Sequence, residues 1–202
     1  MPVSISSSVD HDRRPAMNAL NRRRRWRDRL SRLADGEGFW REWLRDRGSL
    51  TARIQQRGPF AVRVLRQSLA IPSDDEAAVL QLESGRRAWV REVTLYCADR
   101  RVVFAHTVLP YRPRGVLTRW LARLGSRSLG AMLFSHAGIR RGRMQFKRLD
   151  ARHPLFAPAR QALADDTAAP LRHLWARRSE FSFGPQTVLV TEIFSPGLLA
   201  LR

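Results

Sequence analysis

The chain has 202 residues, 44% of them hydrophobic, which suits one compact domain with a buried core. Its single cysteine, Cys97, excludes an internal disulfide; no apolar run reaches the ~20 residues of a membrane-spanning helix, and the opening MPVSISSSVDHDRRP has no apolar signal core after its charges. The net charge of +19 is nearly all arginine, since Lys147 is the only lysine; it suits a nucleic-acid or acidic-membrane partner or, more simply, an arginine-biased composition carried on solvated faces.

A cytoplasmic protein is the simplest reading. Residues 1–17 are polar and are expected to be a disordered tail, with residues 18–202 forming one domain. Ala19 to Leu33 has a weakly apolar helical pattern and contains the densest basic patch, NRRRRWRDRLSRL, in which Trp26 alone interrupts the arginines. No zinc-finger spacing, phosphate loop or RNA-binding aromatic signature accompanies it, so no nucleic-acid partner is expected.

GFWREWLRDRG reads as a short helix with Phe39, Trp40, Trp43 and Leu44 on one side, and Ser49 as the cap of a second, SLTARIQQR. FAVRVLRQS, from Phe60, alternates like a strand; RAWVREVTLYCAD and RVVFAHTVLP follow as a hairpin turning near Asp99-Arg100. RGVLTRWLARLGS is an amphipathic helix ended by Gly125, and Ser128 caps the next, SLGAMLFSH. RMQFKRLD is a further strand. The Ala/Pro-rich stretch from Ala151 to Leu171 holds a short helix around Ala159 to Ala164, and RRSEFSFGPQTVLVTEIFSP is a hairpin across Gly184-Pro185. About six strands, mostly antiparallel neighbours with helical insertions, define an α+β fold.

Two charges fall on apolar strand faces. Glu192 shares its face with Val188, Val190 and Phe194, and Arg91 shares its own with Trp89, Val93 and Leu95. An unpaired buried charge costs several kcal/mol, so each needs a partner. They pair with each other, or lie on wet edge strands, or line a closed pocket whose ligand supplies what each lacks. In a pocket, arginine binds a carboxylate through its planar fork, and a desolvated glutamate serves as acid or hydrogen-bond donor. GSLT and RSLG add two helix starts, where the amides of Leu50 and Leu129 would face an anion. His11, His106, His136, His153 and His173 show no ligand spacing, so no metal site is expected, and Cys97 reads as a packing residue.

The stretches WVREVTLYCAD, HTVLP, LGSRSLGAMLF, LWARRS and VLVTEIFSP, in this order between Ser49 and about Leu199, resemble the chorismate pyruvate-lyase family. That resemblance implies a six-stranded antiparallel sheet whose helical flaps enclose a ligand. It implies release of pyruvate from chorismate to give 4-hydroxybenzoate for ubiquinone, without a cofactor, by a protein expected to be a monomer. The family's carboxylate-binding arginine falls on Arg91, its glutamate on Glu192, and its two main-chain amides on Leu50 and Leu129. His106 stands where relatives often carry Arg, which would alter binding or pH dependence if that position touches the ligand. VTLYCAD is one residue longer than in some relatives, which implies a bulge, and residues 140–170 read as an insertion outside the matching core. Two other readings stay open: a non-catalytic ligand-sensing domain of the same fold, for which the segment before Ser49 is too short to supply a winged helix, and an arginine-driven nucleic-acid binder.

Overall fold

The computed structural model describes residues 25–30, 38–164 and 171–201. The expected tail at residues 1–17 lies outside them. Six strands form one antiparallel sheet: β1 (Phe60–Ala70), β2 (Ala88–Cys97), β3 (Arg100–Pro110), β4 (Arg140–Leu149), β5 (Leu174–Phe183) and β6 (Gln186–Phe194), in the spatial order β1-β2-β3-β6-β5-β4. The chain thus builds two three-stranded halves that meet where β3 pairs with β6. On the front face lie α1 (Gly38–Arg45), α2 (Leu50–Gln55), α4 (Val116–Ala122) and α5 (Leu129–Ser135); on the back lie α3 (Asp74–Val79) and α6 (Phe156–Leu163).

Period-two alternation in the strands sorts the core. Val93, Leu95, Val103 and Phe194 meet Trp43, Leu44, Leu50 and Ile54 at one end of the front face. Leu109, Phe181 and Val188 meet Leu117, Leu121 and Leu133 at the other. Cys97 is buried in the first cluster with its thiol 3.7 Å from the Ile54 carbonyl, the environment of a packing residue. Helix α4 has no capping side chain at Gly115; the buried Gln186 of β6 accepts from the Leu117 amide instead, at 3.0 Å. A Cβ at Gly115 would come within 2.2 Å of that Gln186 amide, so glycine is what lets the cap in.

Within the stretch expected to be helical, residues 25–30 form bends around a single bridge: Arg27 makes a two-hydrogen-bond bridge with Phe146 of edge strand β4. Trp26 fixes this segment by donating to Asp75 at 3.0 Å and lying under the Arg178 guanidinium, so an unpaired strand edge and an aromatic anchor outweigh weak helical periodicity. The rest of that stretch, apart from residues 25–30, lies outside the described residues. Residues 140–149 are not an insertion but β4 itself, irregular between Arg141 and Met144. The short helix α6 begins at Phe156 rather than Ala159, because Pro158 falls in its first turn, where a missing N–H costs nothing. Helix α3 starts at the capping box Ser73-Asp74-Asp75-Glu76; the Ser73 amide donates to Glu76 Oε2 at 3.0 Å.

The bulge implied by VTLYCAD lies opposite its expected strand. Leu95 pairs with Val103 and Tyr96 with Arg101, so the extra residue is Val102 of β3, which is fully buried.

Candidate functional site

A polar band separates the two apolar clusters of the front face. Across β2, β3, β6 and β5 it runs Arg91, Thr107, Val190, Ser179; one pleat along it runs Ala105, Glu192, Arg177. Ala105, Thr107 and Ser179 put small side chains into this band. Arg91 and Glu192 share this face, one on each side of β3, with Cα atoms about 12 Å apart by strand spacing and rise.

They do not pair with each other. Glu192 Oε2 accepts from Arg177 Nε at 2.5 Å, directly across the β5–β6 hairpin, and its other oxygen has no hydrogen bond among the described residues. Arg177 is only 1% exposed and donates from its other arm to the Trp43 and Asp46 carbonyls, so it closes the C-terminal end of α1 as well. This partner was legible. The hairpin turns at Gly184-Pro185, with Gly184 at φ 53°, and Glu192 and Arg177 are equidistant from that turn. In LWARRS the adjacent arginines serve opposite faces: Arg178 pairs with Asp75 on the back at 2.8 Å.

Arg91 is buried without a carboxylate partner among the described residues. It donates to Gln67 Oε1 at 2.5 Å and to the Gly125 and Arg127 carbonyls at 2.7 and 3.3 Å. Burial lowers its pKa. Arg91 thereby ties the sheet to the loop between α4 and α5.

Leu50 and Leu129 are the first residues of α2 and α5. The caps Ser49 and Ser128 each accept from the amide three residues on, at 3.3 Å. The two helix starts are held together by a 2.5 Å hydrogen bond between the Thr51 and Ser128 hydroxyls. A Cβ at Gly130 would lie 3.3 Å from the Thr51 hydroxyl oxygen, so glycine keeps that approach open. A cleft of about 1080 Å³ opens beside this junction, lined by Thr51, Phe60, Val62, Trp120, Arg127 and Ser128 among others. Arg91 and Glu192 do not line it; the loop whose carbonyls Arg91 holds forms part of its wall.

No local pattern singles out Arg141. It projects from β4 onto the front face, donates to Ser179 Oγ at 3.1 Å and to the Arg47 carbonyl at 2.9 Å, and stacks on Phe134 and Phe181.

His106 belongs to neither end of this band. It is on the back face, 3.0 Å from Glu92 Oε1 through Nδ1 and 3.0 Å from Glu76 Oε1 through Nε2, the second contact lacking hydrogen-bond alignment. Burial opposes its charge, but Glu76 and Glu92 outweigh burial and push His106 up to about 9. A raised folded-state value contributes stability that is complete below the ordinary 6.5 and is lost as pH rises through about 9. The melting temperature is therefore expected to fall as pH goes from about 7 to about 10, and more steeply than in His106→Gln. Parallel curves for the two proteins would remove this imidazolium from the stability of the fold.

Among the described residues no group of three or more His, Cys, Asp or Glu side chains is placed to hold a metal ion. No helix there is long and apolar enough to cross a membrane.

Fold and band together define an α+β domain in which a six-stranded antiparallel sheet and overlying helices enclose a cluster of arginines and one glutamate. The chorismate lyase family model matches residues 28–200, and the chain belongs to that family. A probable chorismate pyruvate-lyase of Dechloromonas aromatica (strain RCB) is 45% identical over 90% of this chain and 99% of its own length. Another, from Azoarcus sp. (strain BH72), is 46% identical over 87% and 93%. The match spans residues 140–170, in keeping with the place of β4 in the sheet. Among solved structures, PhnF from Mycobacterium smegmatis aligns with a TM-score of 0.54 at 19% identity, covering 91% of this chain and 79% of that one, a likeness of fold.

Proposed function

We propose that this protein is a chorismate pyruvate-lyase, converting chorismate to 4-hydroxybenzoate and pyruvate. Membership of the chorismate lyase family over nearly the whole described chain carries the reading. Elimination breaks the ring C3–O and C4–H bonds. The C4–H electrons complete the aromatic ring, and the ether oxygen leaves as enolpyruvate, which takes up a proton to become pyruvate. Aromatisation drives the step, so the protein's task is to orient the ring, stabilise the departing oxygen and handle one proton.

Arg91 holds the ring carboxylate, assisted by the amides of Leu50 and Leu129. Among the described residues this buried guanidinium is bonded to an amide and main-chain carbonyls and to no carboxylate, and a ligand carboxylate supplies the neutralising partner. Glu192 lies at the opposite end of the ring. Its Oε2 is engaged by Arg177 while Oε1 is available, which favours an accepting role, either toward the 4-hydroxyl or toward the C4 proton, over donation to the leaving ether. The product belongs to ubiquinone biosynthesis in this reading, and the enzyme acts as a cytoplasmic monomer.

Purified protein is expected to release pyruvate and 4-hydroxybenzoate from chorismate in excess EDTA. Activity that disappears with EDTA and returns with Mg²⁺ would overturn the cofactor-free mechanism. Tight 4-hydroxybenzoate binding without turnover would favour a ligand-sensing domain instead.

A further inference from the structure

Among the wholly or partly buried arginines of the sheet, Arg91, Arg141, Arg177 and Arg178 differ in their partners. Arg177 pairs with Glu192 and Arg178 with Asp75. Arg91 and Arg141 make no ion pair among the described residues; all of their protein acceptors are neutral. These two stand at opposite ends of one transverse row. Arg91, Thr107, Val190 and Ser179 are consecutive neighbours across β2, β3, β6 and β5, and Arg141 arrives from β4 to bond Ser179. In register Arg141 faces Phe181, one pleat off this row, and its side chain reaches back to Ser179; across the strands it lies on the Glu192 side of β3, close enough to feel that carboxylate, and Arg91 on the other. Burial pulls Arg141 down to about 10, and the nearby Glu192 carboxylate only partly opposes this. The guanidinium carbon lies 5.5 and 5.2 Å from the Phe134 and Phe181 ring centroids, within reach of a cation–π attraction that restrains it.

Chorismate carries two carboxylates. The enolpyruvyl ether is attached beside the ring carbon that bears the 4-hydroxyl, so its carboxylate falls on the Glu192 side when the ring carboxylate is on Arg91. We propose that Arg141 is the second carboxylate-binding residue of the site, holding the enolpyruvyl carboxylate of chorismate; the assignment rests on the lyase reading above. A fixed cation there also favours departure of the enolpyruvyl oxygen as negative charge develops on it. The product 4-hydroxybenzoate keeps the ring carboxylate and the hydroxyl but lacks this second anion. Arg141 thus acts on substrate and transition state and leaves product binding to Arg91 and Glu192.

That asymmetry is the test. Wild type, Arg141→Gln and Arg141→Lys are compared for kcat/KM on chorismate, for 4-hydroxybenzoate affinity by calorimetry, and for melting temperature. Arg141→Gln is expected to lose about 10²-fold in kcat/KM, as for loss of one partner of a desolvated charge pair, while product affinity stays within about threefold. Arg141→Lys retains the charge without the fork and recovers part of kcat/KM. A parallel loss of kcat/KM and product affinity would mean that Arg141 only straps the Arg47 carbonyl to β4 and would overturn the proposal, as would an unchanged kcat/KM. If Arg141→Gln does not fold, the same comparison on Arg141→Lys decides: a fall of about tenfold in kcat/KM alone supports the assignment, and equal changes in both quantities overturn it. A wild type inert toward chorismate overturns both readings, whereas an active wild type with either failing pattern overturns only the role of Arg141.

Discussion

Glu192→Gln is expected to lower single-turnover chemistry by about 10²–10⁴-fold if Glu192 takes the C4 proton, because the amide keeps the shape and an acceptor oxygen but cannot carry a proton. The same variant also disturbs the fold. Arg177, 1% exposed, loses the carboxylate that neutralises it, and breaking a buried ion pair by removing one member costs up to about 3–5 kcal/mol. Two further bonds from Arg177, to the Trp43 and Asp46 carbonyls, survive the change, so a folded protein is expected. Chemistry and stability separate when thermal melts accompany single-turnover assays run well below the melting temperature. A variant that melts early but turns over at near the normal rate would leave Glu192 a positioning residue held by Arg177. Product affinity should change much less than turnover, because the amide oxygen still meets the 4-hydroxyl.

Arg91→Ala should weaken 4-hydroxybenzoate binding by about 2–5 kcal/mol, the usual consequence of removing one member of a desolvated, hydrogen-bonded charge pair. Arg91→Lys should not restore it, since a single ammonium cannot reproduce the planar fork that meets a carboxylate. The present contacts sharpen the expectation. Arg91 also holds the Gly125 and Arg127 carbonyls, so the alanine variant frees the loop that carries Ser128 and Leu129. Hydrogen exchange in that loop should rise together with the loss of affinity. Wild-type product affinity in a folded Arg91→Ala protein would refute the carboxylate assignment.

Much of this was written locally. Strands show period two, helices period 3.6, and capping serines and glycine turns mark the ends; such signals depend on neighbours a few residues apart. They located all six strands and made Arg91 and Glu192 conspicuous as charges in apolar rows. The tight Gly184-Pro185 turn even carried the register that sets Arg177 opposite Glu192.

Other features depended on which strands became neighbours. Pairing of β3 with β6 brings Arg91 and Glu192 onto one face, and no local pattern specifies that junction. His106, adjacent in sequence to Thr107 of the band, is removed from it by the pleat and meets Glu76 from a helix some thirty residues earlier. Arg141 joins the band because β4 is an edge strand with an irregular stretch that lets its side chain reach Ser179. Trp26 and Arg27 leave their helical pattern because that same edge offers unpaired backbone groups. The sequence by itself determined the elements and the two anomalous charges, since alternation and capping act over a few residues. Only the tertiary structure decided the partners of Arg91 and the gathering of Arg91, Arg141 and Glu192 on one face, since these require groups distant in the chain to meet across particular strands.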